Sequence, residues 1–212
     1  MENEAALGLG LLLCDMLSLC YHNTMKQEIV GRAELKLAGA VQAFSYDFRG
    51  KTVLDIGSST GGFTELVLRL GAKKVVAIEK GTRQMKAPLR FDPRVDLREK
   101  TDIFMVQKGD LPEIDTVVAD VSFVSLREVL EHARRLVPAQ ADYLVMLKPQ
   151  FEASSQQLVR GVIKNERMRR EIIREFENWL KMNQFTVIKK RDNELLGKVG
   201  GNRERFYLLK LA

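Results

Sequence analysis

From Lys51 onward, short runs rich in β-branched residues alternate with longer amphipathic stretches. This order is typical of βαβ units and predicts an α/β protein with a mainly parallel, doubly wound sheet. Near the end of the chain, two apolar runs frame a glycine-rich turn at residues 197–201, which predicts an antiparallel hairpin. The seven predicted strands are residues 52–56, 74–79, 95–99, 116–120, 143–147, 185–190 and 205–211. We therefore expect a Rossmann-like, seven-stranded sheet with helices on both faces.

Amphipathic stretches between the strands predict helices at residues 62–70, 83–89, 126–136 and 166–182. In the last of these, apolar residues recur at helical spacing, which predicts a face packed in the core. Residues 31–49 predict a further helix followed by a short polar linker. We divide the chain into an N-terminal apolar extension, residues 1–30, and one domain, residues 31–212.

The apolar extension contains the run AALGLGLLLCDMLSLC at residues 5–20, preceded by Glu2 and Glu4 and interrupted by Asp15. A secretory signal begins with a positively charged region, and a membrane span needs about 20 apolar residues, so this run fits neither. We expect it to pack on the domain or on a partner, and we expect a cytoplasmic protein. Association with a membrane is the less favoured alternative.

The charge is concentrated near the end of the chain. The protein has a net charge of +6, and residues 151–212 contain 14 Lys and Arg against 8 Asp and Glu. A basic surface attracts polyanions such as nucleic acid or anionic lipid. Candidates for contacts with a phosphate backbone are Lys164, Arg167, Arg169, Arg170, Arg174, Lys189, Lys190 and Arg191, although a solvated helix face with internal ion pairs is an alternative for the arginines. Two cysteines cannot by themselves form a disulfide framework or a four-ligand zinc site, and two histidines add little, so no metal is expected.

The sequence VLDIGSSTGGFT, residues 53–64, runs from a predicted buried strand through three glycines into a helix. Such a loop lets the backbone approach a ligand closely at the first strand of a doubly wound sheet. The G-x-x-x-G-G spacing matches neither a P-loop nor a dinucleotide fingerprint. S-adenosylmethionine remains, and Asp55 suits its positively charged groups. The loop candidates for this cofactor are Gly57, Ser58, Ser59, Thr60, Gly61, Gly62 and Phe63.

Acidic residues at the ends of the next strands support this choice. Glu79, followed by Lys80, ends the second strand, where a carboxylate can accept hydrogen bonds from ribose hydroxyls. Asp102 follows the third strand and is placed to meet an adenine amino group. The alternatives are that Asp55 caps the turn, Glu79 is a solvated strand end and Asp102 caps a helix. Together, the loop and these carboxylates predict a class I methyltransferase.

Charged residues also end the fourth and fifth predicted strands, at Asp120 and Lys148. Both are expected beside the cofactor crevice, because ligands bind at the carboxyl ends of the strands. A partly desolvated Lys at such a position can act as a general base, and a nearby Asp would hold it in place. A plain ion pair is the alternative. We count Asp120 among the cofactor candidates as well.

The chain resembles the TlyA (hemolysin A) family of ribosomal RNA 2′-O-methyltransferases, within the FtsJ-like methyltransferases, from about residue 35 to residue 209. The matching segments are LKLAGAVQAF (35–44), LDIGSSTGGFT (54–64), DPRV (92–95), ADVSFVSL (119–126), LKPQFEA (147–153) and GNRE (201–204). The resemblance implies a Lys-Asp-Lys-Glu tetrad at Lys36, Asp120, Lys148 and Glu204. It also implies that Lys148 deprotonates a ribose 2′-hydroxyl of RNA, with rRNA or a ribosomal subunit as the partner.

The chain departs from this family in three places. The family's usual S4-type RNA-binding domain precedes the catalytic domain, and we expect this protein to lack it, because residues 1–30 are dominated by the apolar run. The usual SRGGLKL segment is GRAELKL here, and SSQQLVRGVIKN follows the Lys148 motif in place of the usual glycine-rich loop. The alternative function is a membrane-active or partner-binding protein, in keeping with the hemolysin name.

Overall fold

A computed structural model describes residues 31–195 and 201–212. Nine strands lie in these residues: β1 (Thr52–Ile56), β2 (Lys74–Ile78), β3 (Val95–Arg98), β4 (Thr116–Ala119), β5 (Asp142–Leu147), β6 (Leu158–Val159), β7 (Val162–Ile163), β8 (Phe185–Asp192) and β9 (Arg205–Leu211). Seven of them form one sheet in the order β3-β2-β1-β4-β5-β9-β8. The first five are parallel, and β9 runs antiparallel to both of its neighbours. The predicted sheet and its closing antiparallel pair are confirmed.

Five helices cover the two faces of this sheet: α1 (Arg32–Phe44), α2 (Gly62–Arg69), α3 (Ala87–Arg90), α4 (Leu126–Leu136) and α5 (Glu166–Met182). The apolar faces of α1 and α2 pack in one core, and those of α4 and α5 pack in the other. β1 and β4 are buried along their whole length because both faces are covered. Helices on both faces were expected from the sequence.

The predicted helix at residues 83–89 is wrong in extent, because only Ala87–Arg90 is helical. Arg83 has a φ of 54°, which a right-handed helix cannot include. Pro88 lies in the first turn of the short helix, where its missing N–H costs nothing. The hairpin of β6 and β7 was not predicted, since each strand has two residues and shows no periodic pattern.

The sheet order places the site. β1 pairs with β2 on one side and β4 on the other, so the connections leave β1 in opposite directions. Ligands of doubly wound proteins bind at such a switch point, outside the carboxyl ends of the strands. The loops that follow β1, β4 and β5 meet at this edge.

Helix α1 is fixed to the sheet by polar contacts from β8. Lys189 Nζ donates to the carbonyl of Phe44 at 2.5 Å, and the Arg191 guanidinium donates to the carbonyl of Gly39 at 3.1 Å. Glu34, fully buried, forms an ion pair with Arg69 of α2. Two of the cations considered above for RNA therefore hold a helix in place.

The linker after α1 is fixed at the opposite edge of the sheet. The Tyr46 hydroxyl lies 2.7 Å from Thr116 Oγ1 and donates a hydrogen bond to Asp142 Oδ2 at 2.7 Å. The same hydroxyl accepts a hydrogen bond from Lys51 Nζ at 2.7 Å. Burial raises the pKa of Tyr46 well above its usual value. This network joins the linker to the first residues of β4 and β5.

Within residues 31–195 and 201–212, no helix is both long enough and apolar enough to cross a membrane. The apolar run at residues 5–20, and the predictions made for it, lie outside the described residues.

Replacing Tyr46 with Phe should lower the free energy of unfolding by about 1–3 kcal/mol, because the partners of the hydroxyl lose a buried hydrogen bond. Denaturant unfolding measures this change. Tyr143→Phe is the matched control, since the Tyr143 hydroxyl is buried with no hydrogen-bond partner in the described part of the chain. Equal stability of the two variants would show that the network contributes nothing.

Candidate active site

A cleft of about 480 Å³ opens at the carboxyl ends of β1, β4 and β5. Its volume lies within the usual range of small-molecule sites. Ten of the residues predicted from the sequence line it: Lys36, Gly57, Ser58, Ser59, Thr60, Gly62, Phe63, Asp120, Lys148 and Glu204. The cleft wall does not include Asp55, Gly61, Glu79, Lys80 or Asp102.

The loop after β1 lies directly against the end of β4. Gly57 has a φ of 79°, and a Cβ on it would lie 3.3 Å from the carbonyl oxygen of Asp120. A larger residue would be strained by both its backbone conformation and this contact. Gly57 therefore lets two cleft-lining segments approach each other.

A second close approach brings α1 to the cleft. A Cβ on Gly62, the first residue of α2, would lie 3.0 Å from Ala33 Cβ and 3.2 Å from the Glu34 nitrogen. The start of α2 thus packs against the start of α1, and α1 presents Lys36 to the cleft. Ala33 and Glu34 occupy the positions where the TlyA pattern has glycines, and Glu34 uses its carboxylate to hold the two helices together.

Asp55 lies beneath the loop and is fully buried. Its Oδ2 accepts a hydrogen bond from Thr64 Oγ1 at 2.6 Å, whereas its Oδ1 has no hydrogen-bond partner among residues 31–195 and 201–212. Burial raises the pKa of Asp55 to about 7, and the charge of Asp120 contributes to this rise. The contact with Thr64 ties the strand end to α2 and leaves the second carboxylate oxygen without a hydrogen bond from the described residues.

Glu79 turns toward the loop rather than into the cleft. Its two oxygens accept hydrogen bonds from the backbone nitrogens of Ser59, at 2.8 Å, and Gly81, at 2.6 Å. Asp102 accepts from the Phe104 nitrogen at 3.2 Å and so caps a short 3₁₀ helix, the alternative considered for it above. Its other oxygen bonds to Lys80 Nζ at 2.8 Å, and this contact lowers the pKa of Asp102.

Lys148 and Asp120 form one of two lysine–carboxylate pairs in the cleft. Lys148 Nζ lies 2.6 Å from Asp120 Oδ1 and donates to Ser122 Oγ at 2.7 Å. Both charged side chains are more than four-fifths buried. The ends of β4 and β5 therefore orient a single amine toward the cleft.

Lys36 and Glu204 form the second pair. Lys36 Nζ lies 2.5 Å from Glu204 Oε2, and the side chains are 8% and 3% exposed. The amide of Asn193 donates to the same carboxylate oxygen at 3.3 Å. The four residues implied by the TlyA resemblance thus lie in one cleft as two ion pairs.

Glu152 links two of the sequence motifs. Its carboxylate accepts hydrogen bonds from Ser125 Oγ at 2.7 Å and from the Leu126 nitrogen at 2.6 Å, at the start of α4. Burial raises the pKa of Glu152, while these bonds oppose that rise. The segment after β5 and the segment after β4 are therefore held together just behind the Lys148–Asp120 pair.

Sequence reasoning missed several residues of the cleft, above all Phe123 and Phe151. Phe123 is 92% exposed with a φ of 64°, a conformation that a bulky residue rarely adopts. Its ring lies 5.2 Å from that of Phe151, and both rings line the cleft. Both belong to quoted motifs, ADVSFVSL and LKPQFEA, so the motifs themselves were the available signal. The other residues missed are Gly31, Arg32, Ala33, Lys86, Ser122, Gln150, Gly161 and Asn202.

The architecture is that of a Rossmann-like methyltransferase. An S-adenosylmethionine dependent methyltransferase from Mesorhizobium loti shares the fold, with a TM-score of 0.60, 12% identity, and coverage of 86% of this chain and 100% of that one. Residues 29–210 match the FtsJ-like methyltransferase family. The chain belongs to that family.

Individual relatives narrow the comparison. The chain is 42% identical, over 137 residues, to the 16S/23S rRNA (cytidine-2′-O)-methyltransferase TlyA of Mycobacterium tuberculosis. The matched segment covers 62% of this chain and 50% of that protein. It is 29% identical over 202 residues to the 23S rRNA (cytidine-2′-O)-methyltransferase TlyA of Campylobacter jejuni, covering 94% and 77%. A candidate hemolysin of Lactococcus lactis has a TM-score of 0.82 at 33% identity, covering 87% and 89%. The chain spans about half the length of the first curated relatives that it matches.

Asp55→Asn should change how stability depends on pH. Between about pH 4 and pH 7 the folded protein holds a proton on Asp55 that the unfolded chain releases, so the free energy of unfolding should fall as pH rises through this range. The Asn variant keeps an acceptor for Thr64 but has no proton to release, so its free energy of unfolding should not fall in this way. The difference between the variant and the wild type should therefore increase with pH, by roughly 4 kcal/mol at most. Denaturant unfolding over this range tests the effect, and parallel curves would contradict the buried position of Asp55.

Proposed function

We propose that this protein transfers a methyl group from S-adenosylmethionine to a ribose 2′-hydroxyl of ribosomal RNA, in the cytoplasm. The observation that carries the proposal is the pair of lysine–carboxylate contacts in one cleft, beside the glycine-containing loop. The TlyA names of the relatives in M. tuberculosis and C. jejuni support the same substrate class.

The residues at the loop fit this cofactor. The buried Asp55 has one carboxylate oxygen without a hydrogen bond, which suits the positive charge of the cofactor's amine or sulfonium. The loop from Gly57 to Phe63 would hold the cofactor, and Glu79, Lys80 and Asp102 would contact its nucleoside part, as predicted from the sequence. When bound, the cofactor supplies an electrophilic methyl group.

Lys148 is the proposed general base. In its neutral amine form, Lys148 accepts the proton of the hydroxyl on Nζ, and the loss of this proton makes the ribose oxygen a better nucleophile. Asp120 and Ser122, at 2.6 and 2.7 Å, fix the position of that nitrogen. A base held in this way loses little orientational freedom when the substrate binds.

Lys36 is the proposed stabiliser of the negative charge that develops on the ribose oxygen. Glu204 holds its side chain from one side, and the Asn193 amide donates to that same carboxylate. A cation fixed in a largely buried site needs no reorganisation during the reaction, which is where such stabilisation is strongest.

The aromatic rings of Phe123 and Phe151 are proposed to hold the base of the target nucleotide. RNA bases that leave their stack are commonly held on aromatic side chains. Phe123 offers a ring that is 92% exposed at the cleft. This arrangement favours a nucleic acid over a small acceptor without a base.

Two experiments with the purified protein test the proposal. Calorimetric titration measures binding of S-adenosylmethionine, and a second assay measures transfer of a labelled methyl group to ribosomal subunits and to naked rRNA. Methylation of a 2′-hydroxyl should leave a dinucleotide that resists alkaline hydrolysis. Binding of the cofactor without methylation of either RNA substrate would overturn the RNA assignment. No binding of the cofactor would overturn the whole proposal.

Replacing Lys148 with Met or with Arg should reduce methyl transfer by about 10²- to 10⁴-fold, the usual contribution of a general base. Binding of S-adenosylmethionine should stay near the wild-type value. Arg keeps the positive charge but does not give up its proton, so the two variants should be equally impaired. Substantial activity in Lys148→Arg would show that Lys148 acts as a cation and not as a base. Lys73→Met, on an exposed side chain at the other edge of the sheet, is the control.

Phe123→Ala should raise the KM for RNA by about 5- to 100-fold, the effect of losing one stacked base, and leave cofactor affinity unchanged. Phe91→Ala is the matched control, because Phe91 is 79% exposed but does not line the cleft. Steady-state kinetics at varied RNA concentration measures the KM of each variant. Equal effects of the variants would exclude a role for Phe123 in holding the base.

The name hemolysin in some relatives keeps a second function open to test. Hemolysin A of Brachyspira hyodysenteriae is 34% identical to this chain over 149 residues. A lytic protein should release dye from liposomes, and this release should disappear when residues 5–20 are deleted. The methyltransferase proposal predicts no release and cofactor binding that survives the deletion.

A further inference from the structure

The hairpin of β6 and β7 carries an arginine in an unfavourable backbone conformation. Val159 pairs with Val162, so Arg160 and Gly161 form a two-residue turn. Both have positive φ, 49° and 79°, as in a type I′ turn. Asn-Gly is the preferred sequence of such turns, and Arg at the first position is disfavoured. Strained residues of this kind cluster at functional sites, and Gly161 lines the catalytic cleft.

A buried asparagine holds this hairpin against the segment that carries Glu204. Asn202 is 5% exposed. Its Oδ1 accepts a hydrogen bond from the Ile163 nitrogen at 3.1 Å, and its Nδ2 donates to the Gly161 carbonyl at 2.9 Å. The oxygen and the nitrogen of the Asn202 amide therefore bond to residues on both sides of the hairpin. These bonds fix the position of the turn relative to the cleft.

Three exposed cations lie at this corner without a side-chain partner in the described part of the chain: Arg160 in the turn, Lys164 directly after β7, and Arg203 directly after Asn202. Most other basic residues of the last third are engaged within the protein. Arg169 pairs with Asp192, Lys190 pairs with Glu177, and Lys189 and Arg191 bind carbonyls of α1. The free charge near the cleft is therefore concentrated at the hairpin.

We propose that Arg160, Lys164 and Arg203 form a phosphate-binding rim, on which the backbone of the RNA strand lies as its target nucleotide enters the cleft. This inference rests on the proposed function and assigns the side of the cleft along which the strand runs. Arg160 reaches the phosphates from the turn, and Asn202 acts as a positioning residue that keeps the turn beside Glu204. The strained conformation of Arg160 is tolerated because the charge is needed at that point.

Arg160→Asn provides the decisive variant, because it removes the charge and introduces the residue that the turn prefers. The variant should be as stable as the wild type or more stable. Binding to a fluorescein-labelled single-stranded RNA should weaken by about three- to fivefold near 0.15 M salt, and the slope of log Kd against log salt should decrease by about 0.7, as expected for one lost phosphate contact. The KM for rRNA should rise while kcat and cofactor affinity stay unchanged.

Two comparisons complete the experiment. Lys73→Asn removes one exposed charge at the opposite edge of the sheet and should leave the RNA affinity and the salt slope unchanged. Asn202→Leu keeps Arg160 and the net charge but removes the hydrogen bonds of the amide to Ile163 and Gly161. It should raise the KM for rRNA without lowering the salt slope by a full phosphate contact, because no charge is lost.

The outcomes separate this inference from the proposed function. If the wild type methylates rRNA and Arg160→Asn binds the labelled RNA as tightly as Lys73→Asn does, the phosphate rim is wrong and the function stands. If the wild type binds the cofactor but methylates no RNA, the function itself fails. If Arg160→Asn weakens binding to phosphatidylglycerol vesicles and not to RNA, the rim serves a membrane surface and the inference is overturned.

Discussion

The ion pair between Lys36 and Glu204 connects the first described helix to the last strand of the sheet. Its two side chains are nearly buried, so each would be costly without the other. The pair depends on the placement of α1, which packs against Gly62 and is held by Lys189 and Arg191 of β8. The candidate active-site cleft is therefore a product of long-range contacts between α1 and residues near the end of the described chain.

The basic residues in the last third of the chain fall into two groups, those that hold the fold together and those that remain exposed to a partner. The last third of the chain is rich in Lys and Arg, which suggests a surface for a polyanion. Much of that charge instead holds α1, pairs with Glu177 or is buried around Asp192. A net charge is thus a poor measure of the charge that a partner meets, because internal carbonyls and carboxylates neutralise part of it.

The strands and the glycine loop could be predicted from local sequence because most strands of the sheet, such as β1, β4 and β5, are short apolar runs with clear ends. The contact between Glu79 and the Ser59 nitrogen could not, since it depends on how two loops fold toward each other. The Lys148–Asp120 contact was expected from the positions of both residues at the ends of neighbouring strands. Lys36 and Glu204, in contrast, were found only through resemblance to a family, because no local pattern joins them. Phe123 lay inside a quoted motif, yet its exposure and its φ are properties of the folded turn.

The position of β9 has a consequence for the order of folding. This strand follows all the others along the chain but lies inside the sheet, between β5 and β8. β8 has no partner in the sheet until β9 is present, and Glu204 reaches Lys36 only when β9 is in place. During synthesis, the parallel half with its glycine loop can assemble before the Lys36–Glu204 pair exists. A nascent chain would thus form the loop after β1 first and complete the wall of the cleft last.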